Sequence, residues 1–276
     1  MRPRNAVVLL PLLAGLVVAG CSSLSNKFTF MRPDVSRKDF TRVAPEYNVG
    51  SDDRRDGSFA ARERIALAER RLRIGQLDEA VADARAALKA DPKSADAHTL
   101  LAVIAQRRGK PEEAGGHYAK AAELAPTRGS ALNNYGAWLC GNGRAAESLA
   151  WFDRALADPA YPTPASARAN AGSCAMDAGQ AQRAERDLRM ALQLAPDNTT
   201  ALEAMARLQF DAGDYLSARA FSERRIVAAP VTPHVLRLAS QIEQKLGDNQ
   251  ASARYLKRLA SEFPPGDARA GETGRQ

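Results

Sequence analysis

Small, apolar and helix-breaking residues recur along most of this chain in one fixed phase, and the phase predicts paired helices. Leu132-Asn-Asn-Tyr-Gly-Ala-Trp-Leu-Cys-Gly-Asn-Gly-Arg144 shows the arrangement most fully. Gly143 has counterparts at Gly75, Gly109, Gly179, Gly213 and Gly247, at steps of 34, 34, 36, 34 and 34 residues. Five residues beyond each glycine stands a small side chain: Ala80, Ala114, Ser148, Ala184, Ala218 and Ser252. Pro92, Pro126, Pro196, Pro230 and Pro264 each follow a glycine by 17 residues, and Pro159 comes one place early in the stretch with two extra residues. Each glycine ends a first helix, because it adopts a left-handed turn without steric cost. Each proline ends a second helix, because it lacks the N–H and disfavours helix before it.

A period of 34 with landmarks in this order is the tetratricopeptide pattern, a helix-turn-helix unit. Asp78 and Glu79, Glu112 and Glu113, Glu147 and Asp214 open second helices, where a negative charge suits the helix N-terminus. Pro111 fits a first turn because the N–H that it lacks is not needed there. The small ladder lets the two helices of a unit approach closely. Seven residues further on it reads Ala87, Ala121, Ala155 and Ala191, then Arg225 and Leu259, so the last two units are expected to pack differently. Arg64 and Arg71 stand where the pattern wants large aromatic residues. Counting back from the prolines gives repeats at residues 61–94, 95–128, 129–164, 165–198, 199–232 and 233–266. None can bury its apolar stripe alone, so the expected fold is all-α: a right-handed superhelical solenoid of six repeats, its twelve helices running from about Ala61 to Phe263.

Residues 1–20 read as a signal peptide, with Arg2 and Arg4 ahead of an apolar run from Ala6 to Val18. The run is too short for a comfortable membrane span. Val18-Ala19-Gly20-Cys21 resembles the bacterial lipobox, which implies cleavage before Cys21 and acylation of that cysteine; several acyl chains anchor stably where one does not. Ser22 follows, and no Asp stands there to resemble an inner-membrane retention signal. The destination expected is the outer membrane, facing the periplasm. Residues 21–60 then read as a lipidated, flexible tether, rich in Ser, Asn, Asp, Pro, Arg and Gly. Its Phe28, Phe30, Phe40 and Tyr47 are either docking groups or scattered aromatics. Residues 267–276 read as a disordered tail.

The net charge of +7 invites a nucleic-acid reading, but Lys and Arg are interspersed with Asp and Glu, and no basic run is interleaved with aromatics. Nucleic acid is therefore not an expected partner. His98, His117 and His234 fall in different parts of their repeats without ligand spacing, so no metal site is expected and His98 is read as an interhelical packing residue. No nucleophile elbow or phosphate loop is present, paired acids such as Glu112 and Glu113 are helix openers, and no catalytic residue or cofactor is assigned. Cys140 and Cys174 fall late in the first helices of repeats three and four, which run parallel as neighbours. In an oxidising compartment they form either a bridge or two buried free thiols, and their similar height favours the bridge.

What such an array offers is a binding face. The fifth, ninth and twelfth places of the first helices are expected to line a groove. Ile65, Leu72, Thr99, Val103, Asn133, Met176, Arg207 and Arg237 are its candidate contacts, graded from apolar to charged along the chain. The groove suits a peptide or a helix. Ile65, Leu72 and Val103 are expected to face water there, an apolar signal that puts the contact in the N-terminal half. The alternative is a solvated groove, with the partner on the convex face or the edges.

Lipobox, tether, six repeats, the Leu132–Cys140 segment and the Tyr-Pro-Thr-Pro insertion together resemble the type IV pilus biogenesis and stability lipoproteins, the pilotins of the pilus secretin. The resemblance implies an outer-membrane protein, held by N-terminal acyl chains, that promotes secretin localisation or multimerisation. It implies secretin subunits as partners, no enzymatic activity, and a disulfide between the cysteines matching Cys140 and Cys174. The segment before Ala61 is longer and more basic than the family pattern. A periplasmic adaptor for cell-wall hydrolases or for barrel assembly is the other reading of a lipid-anchored array of this kind.

Overall fold

The computed structural model describes residues 59–264. The expected signal peptide, Cys21, the tether up to residue 58 with its four aromatics, and the tail from residue 267 lie outside the described residues.

Twelve α-helices and no strands make up the described residues. The first helices are α1 (Phe59–Arg73), α3 (Ala95–Arg107), α5 (Gly129–Gly141), α7 (Pro164–Asp177), α9 (Thr199–Asp211) and α11 (Pro233–Lys245). Their partners are α2 (Leu77–Ala90), α4 (Pro111–Leu124), α6 (Ala145–Leu156), α8 (Ala181–Leu194), α10 (Tyr215–Ala228) and α12 (Asn249–Glu262). Helix α1 opens at Phe59, two residues ahead of the repeat boundary counted from the prolines. The two helices of each repeat pack on one another, each second helix packs on the next first helix, and successive first helices touch. This is an all-α superhelical repeat fold.

Local chemistry sets the helix ends. The six ladder glycines have φ between +70° and +82°. At each, the glycine N–H and the next N–H reach back to the closing helix. Gly109 donates to the Gln106 carbonyl at 3.0 Å and Lys110 to the Ala105 carbonyl at 2.9 Å, and the other five turns repeat the pattern. This pair of bonds satisfies carbonyls that a helix end otherwise leaves open. Ser94, Asn198 and Thr232 cap first helices, and Asp214 and Asp248 cap second helices, each accepting from a backbone N–H three residues on.

The small ladder is buried throughout, with Ala80, Ala114, Ser148, Ala184 and Ala218 at 0% exposure and Ser252 at 8%. Close approach lets large groups of second helices fill the gap. Tyr118, Phe152 and Leu188, one helical turn beyond three of these positions, are fully buried. The two extra residues form a bracket at the start of α5. Asp158 accepts from the Gly129 N–H at 2.8 Å, and Tyr161 is buried beside it. A Cβ at Gly129 would come within 2.7 Å of the Ala155 carbonyl oxygen.

Adjacent glycines in α4 test how far this packing dictates residue choice. A Cβ at Gly115 would meet the Trp138 indole at 2.1 Å, whereas one at Gly116 meets nothing within 4 Å. The indole cannot simply swing away, because its Nε1 donates to the Pro111 carbonyl and its ring stacks on Tyr135. Gly115→Ala is expected to destabilise the protein by about 1–3 kcal/mol through overpacking. Gly116→Ala is expected to stabilise it by about 0.5–1 kcal/mol through helix propensity. Urea melts of the two variants check the opposite signs.

Candidate functional site

The groove face is more closed in its first half than the sequence led us to expect. Leu72 and Val103 are each only 7% exposed and belong to one core cluster with Leu101, Ile104 and Tyr118. Thr99 is 2% exposed, its hydroxyl donating to the Ala95 carbonyl at 2.9 Å. Asn133 is fully buried and accepts a hydrogen bond from Asn170 at 3.2 Å. Expected as groove contacts, with Leu72 and Val103 facing water, these four are instead interior residues, because successive first helices lie against each other. Ile65 and Met176 are half-buried, both packed against core clusters. Arg207 and Arg237 are exposed, and the Arg207 guanidinium stands 3.9 Å from Asp177 and 3.8 Å from Asp211. The fully exposed candidates on this face are therefore the two arginines, and of the apolar patch expected at Ile65, Leu72 and Val103 only Ile65 is partly open to water.

Cys140 and Cys174 form a disulfide, with Cα atoms 5.8 Å apart and a sequence separation of 34. Cys174 is buried with Ala137, Leu149 and Phe152, and Cys140 packs against the same cluster. The covalent tie thus links α5 of repeat three to α7 of repeat four at the core.

A set of places that we did not read from the sequence links the fourth residue of each repeat, in its first helix, to the residue nineteen further on, in the second. Arg64 donates to the buried Asp83 at 3.0 Å, and Arg168 to the buried Asp187 at 2.8 Å. His98 and His117 bring their Nδ1 atoms to 3.0 Å. The remaining repeats place Leu132 with Trp151, Leu202 with Phe221, and Leu236 with Tyr255 at the same two positions. Arginine meets aspartate, histidine meets histidine, and in the third repeat Leu132 packs in one cluster with Trp151. Arg71 adds a second contact to Asp83 at 2.7 Å, which accounts for both arginines in the first repeat's aromatic places. In repeat five, Arg225 is buried and donates to Glu203 at 3.2 Å, while His234 reaches the other oxygen of that carboxylate at 2.9 Å. That pairing lets an arginine replace the alanine of the earlier repeats.

The comparisons with known proteins agree with this architecture. Models of the tetratricopeptide repeat match residues 65–129 and 175–242. Among solved structures, that of PilW, described as a widely conserved type IV pilus biogenesis factor, is 33% identical with a TM-score of 0.71. The match covers 76% of this chain and 96% of PilW. The chain belongs to this family of type IV pilus biogenesis factors. The type IV pilus assembly protein PilF of Pseudomonas aeruginosa is 28% identical over 213 residues, covering 76% of this chain and 82% of PilF. The structure of P. aeruginosa PilF matches with a TM-score of 0.67 at 25% identity, over 79% of this chain and 98% of that one. As a member of this family the chain is a non-enzymatic scaffold for protein–protein interaction. Among the described residues, no group of three or more His, Cys, Asp or Glu side chains could hold a metal ion, and no helix is long and apolar enough to cross a membrane.

Two predictions follow the covalent and the titratable pairs. Breaking the bridge, by Cys140→Ala with Cys174→Ala or by reduction, is expected to lower stability by up to about 4 kcal/mol, the chain-entropy cost for a loop of this length. Urea unfolding with and without reductant checks it, and reductant should not affect the double variant. The histidine pair makes stability fall with acid. Burial is the largest cause holding His98 below its ordinary 6.5, with His117 and Lys120 adding to it. Burial also lowers His117, against an upward pull from Glu113, with Arg85 adding to the depression. Because both folded values lie below the unfolded ones, the unfolded chain takes up protons first as pH drops. The stability is present above the unfolded value and is lost as pH falls through the folded values. Acidification from about pH 7 to about pH 5 should lower Tm more in the wild type than in His98→Gln/His117→Gln.

Proposed function

We propose that this protein is an outer-membrane lipoprotein, anchored by acyl chains on Cys21 and facing the periplasm, on which the secretin of the type IV pilus is localised and multimerised. The observation that carries the reading is the match to PilW over 96% of that chain, which supports a role in pilus biogenesis. Val18-Ala19-Gly20-Cys21 supports the anchor, since a lipid-attached cysteine would hold the repeat array beside the membrane into which a secretin assembles. The fold supports the scaffold role. Capped helices, buried pairs and a disulfide fix the surface residues in place, so a partner meets a preorganised face and little ordering cost. A groove with a polar accessible surface at Arg207 and Arg237 suits hydrogen-bonded and charged contacts better than apolar ones.

Cys21→Ala is expected to release the protein from the outer-membrane fraction and to reduce secretin multimers and surface pili by at least about tenfold, as loss of an anchor removes the local concentration that it provides. Fractionation, secretin immunoblots without boiling, and pilus counts check this. An outer-membrane variant with normal multimers would overturn it. So would affinity isolation of the wild type that returns cell-wall hydrolases or barrel-assembly proteins in place of secretin subunits.

A further inference from the structure

The outward faces of the second helices change character half-way along the array. Leu216 and Val227, at the two ends of α10, are 68% and 87% exposed. They share a stripe with Ala220 and Glu223, all exposed at helical spacing. At the place of Leu216 the other five repeats carry Asp78, Glu112, Ala146, Gln182 and Gln250. At the place of Val227 they carry Lys89, Glu123, Ala157, Gln193 and Ser261. Every other copy of these two places is polar or alanine, so the repeat architecture does not ask for an apolar group at either. Leu194 at the end of α8 is 57% exposed as well. Leu256 of α12 is a different case: its counterparts Tyr118, Phe152 and Leu188 are interior, and no described repeat follows to cover it.

Beside Val227 lies an apolar cleft of about 360 Å³ between the end of α10 and the connection from α8 to α9. Leu202, Pro196, Val227 and Ala228 line it, with Asp197, Glu223 and Arg224 completing the wall. Charge marks the same region. Outside the buried Asp187 and Arg225, helices α8, α10 and α12 carry eight basic side chains against three acidic. Outside the buried Asp83, helices α2, α4 and α6 carry four basic against seven acidic.

We propose that the outer face of α8 and α10 is a docking site for an acidic, amphipathic helical segment of a partner protein. One apolar side chain of the segment seats in the cleft against Val227 and Leu202. A second covers Leu216, eleven residues away along α10 or about 16 Å. Its carboxylates meet Arg186, Arg189 and Arg224. Arg189 already holds Glu185, and Arg224 donates to the Pro196 carbonyl, but each guanidinium has further N–H groups to offer. A helical segment can keep its acids away from Asp197 and Glu223 at the rim. An anionic lipid surface, with its continuous charge, cannot, and it does not reach the floor of a cleft. The site is independent of which pilus component the chain serves, so its failure and the failure of the secretin reading are separable.

The test places photoreactive benzoylphenylalanine at Val227, at Leu216, and at Glu112 as control, in the full chain in living cells. Expected are crosslinks from the first two positions, mapped by mass spectrometry to a net-acidic segment with apolar residues at helical spacing, and none to that segment from Glu112. The mapped segment, made as a peptide, should bind the purified chain and lose at least about tenfold in affinity on Leu216→Ser/Val227→Ser, a change at exposed positions that leaves Tm unaltered. Its affinity should also fall as salt rises. Crosslinks to lipid, to a segment without net negative charge, equally from Glu112, or to nothing would each overturn the proposal. So would peptide binding that the double variant leaves unchanged.

Discussion

The close approach of two helices within each repeat is the constraint on which the rest depends. It is set by one small residue per repeat, from Ala80 to Ser252, at the place where the helices cross. Once the backbones are that near, whatever extends from the second helix must fit over the first. Phe152 lies over Gly136, and Leu188 over Gly172, where an added Cβ would meet the leucine at 2.6 Å. A glycine on one helix and a large side chain on the other are thus a single choice made at two positions. Interiors packed at this density tolerate neither an extra methyl nor a missing one without cost.

Because each repeat touches mainly its neighbours, stability accrues along the array by nearest-neighbour terms. The repeats nevertheless differ in how they meet this requirement. Repeats one and four cross their helices with an arginine and a buried aspartate, repeat two with two histidines, and the others place leucine with an aromatic. A buried aspartate is tolerated where cations surround it, as Arg64 and Arg71 surround Asp83 and as Arg168 and Arg183 surround Asp187. The disulfide sits between repeats three and four, where the two extra residues before α7 interrupt the period. It fastens the one junction whose spacing departs from the rest.

For a scaffold, surface character matters as much as fold. The first helices bury their apolar places and leave a polar face, with arginines at its C-terminal end. The second helices present an acidic, polar surface in the first three repeats and a basic, partly apolar one in the last three. One chain therefore offers chemically distinct faces on a common core, which is how a non-enzymatic member of a pilus biogenesis family can hold more than one kind of contact.

By itself the sequence determined the number of helices, their order and where they end. Those features follow from local rules: a glycine free to take positive φ, a proline without an N–H, a small residue where two helices must meet. It also placed Cys140 and Cys174 on neighbouring parallel helices, since both fall late in the first helices of successive repeats. Burial on the groove face was decided only by the tertiary structure. Thr99, Val103 and Asn133 stand where the period points towards the groove, but whether such a side chain meets water depends on how closely the next first helix leans against it. The pairs across nineteen residues were equally hidden, because two side chains that meet through a turn leave no periodic signal when each repeat fills the place with different chemistry. Leu216 and Val227 stand out in the repeat register as apolar copies of polar or alanine places, but only the fold shows that they are turned to water. A leucine or valine in a helix reads as core until the fold shows which way that face is turned.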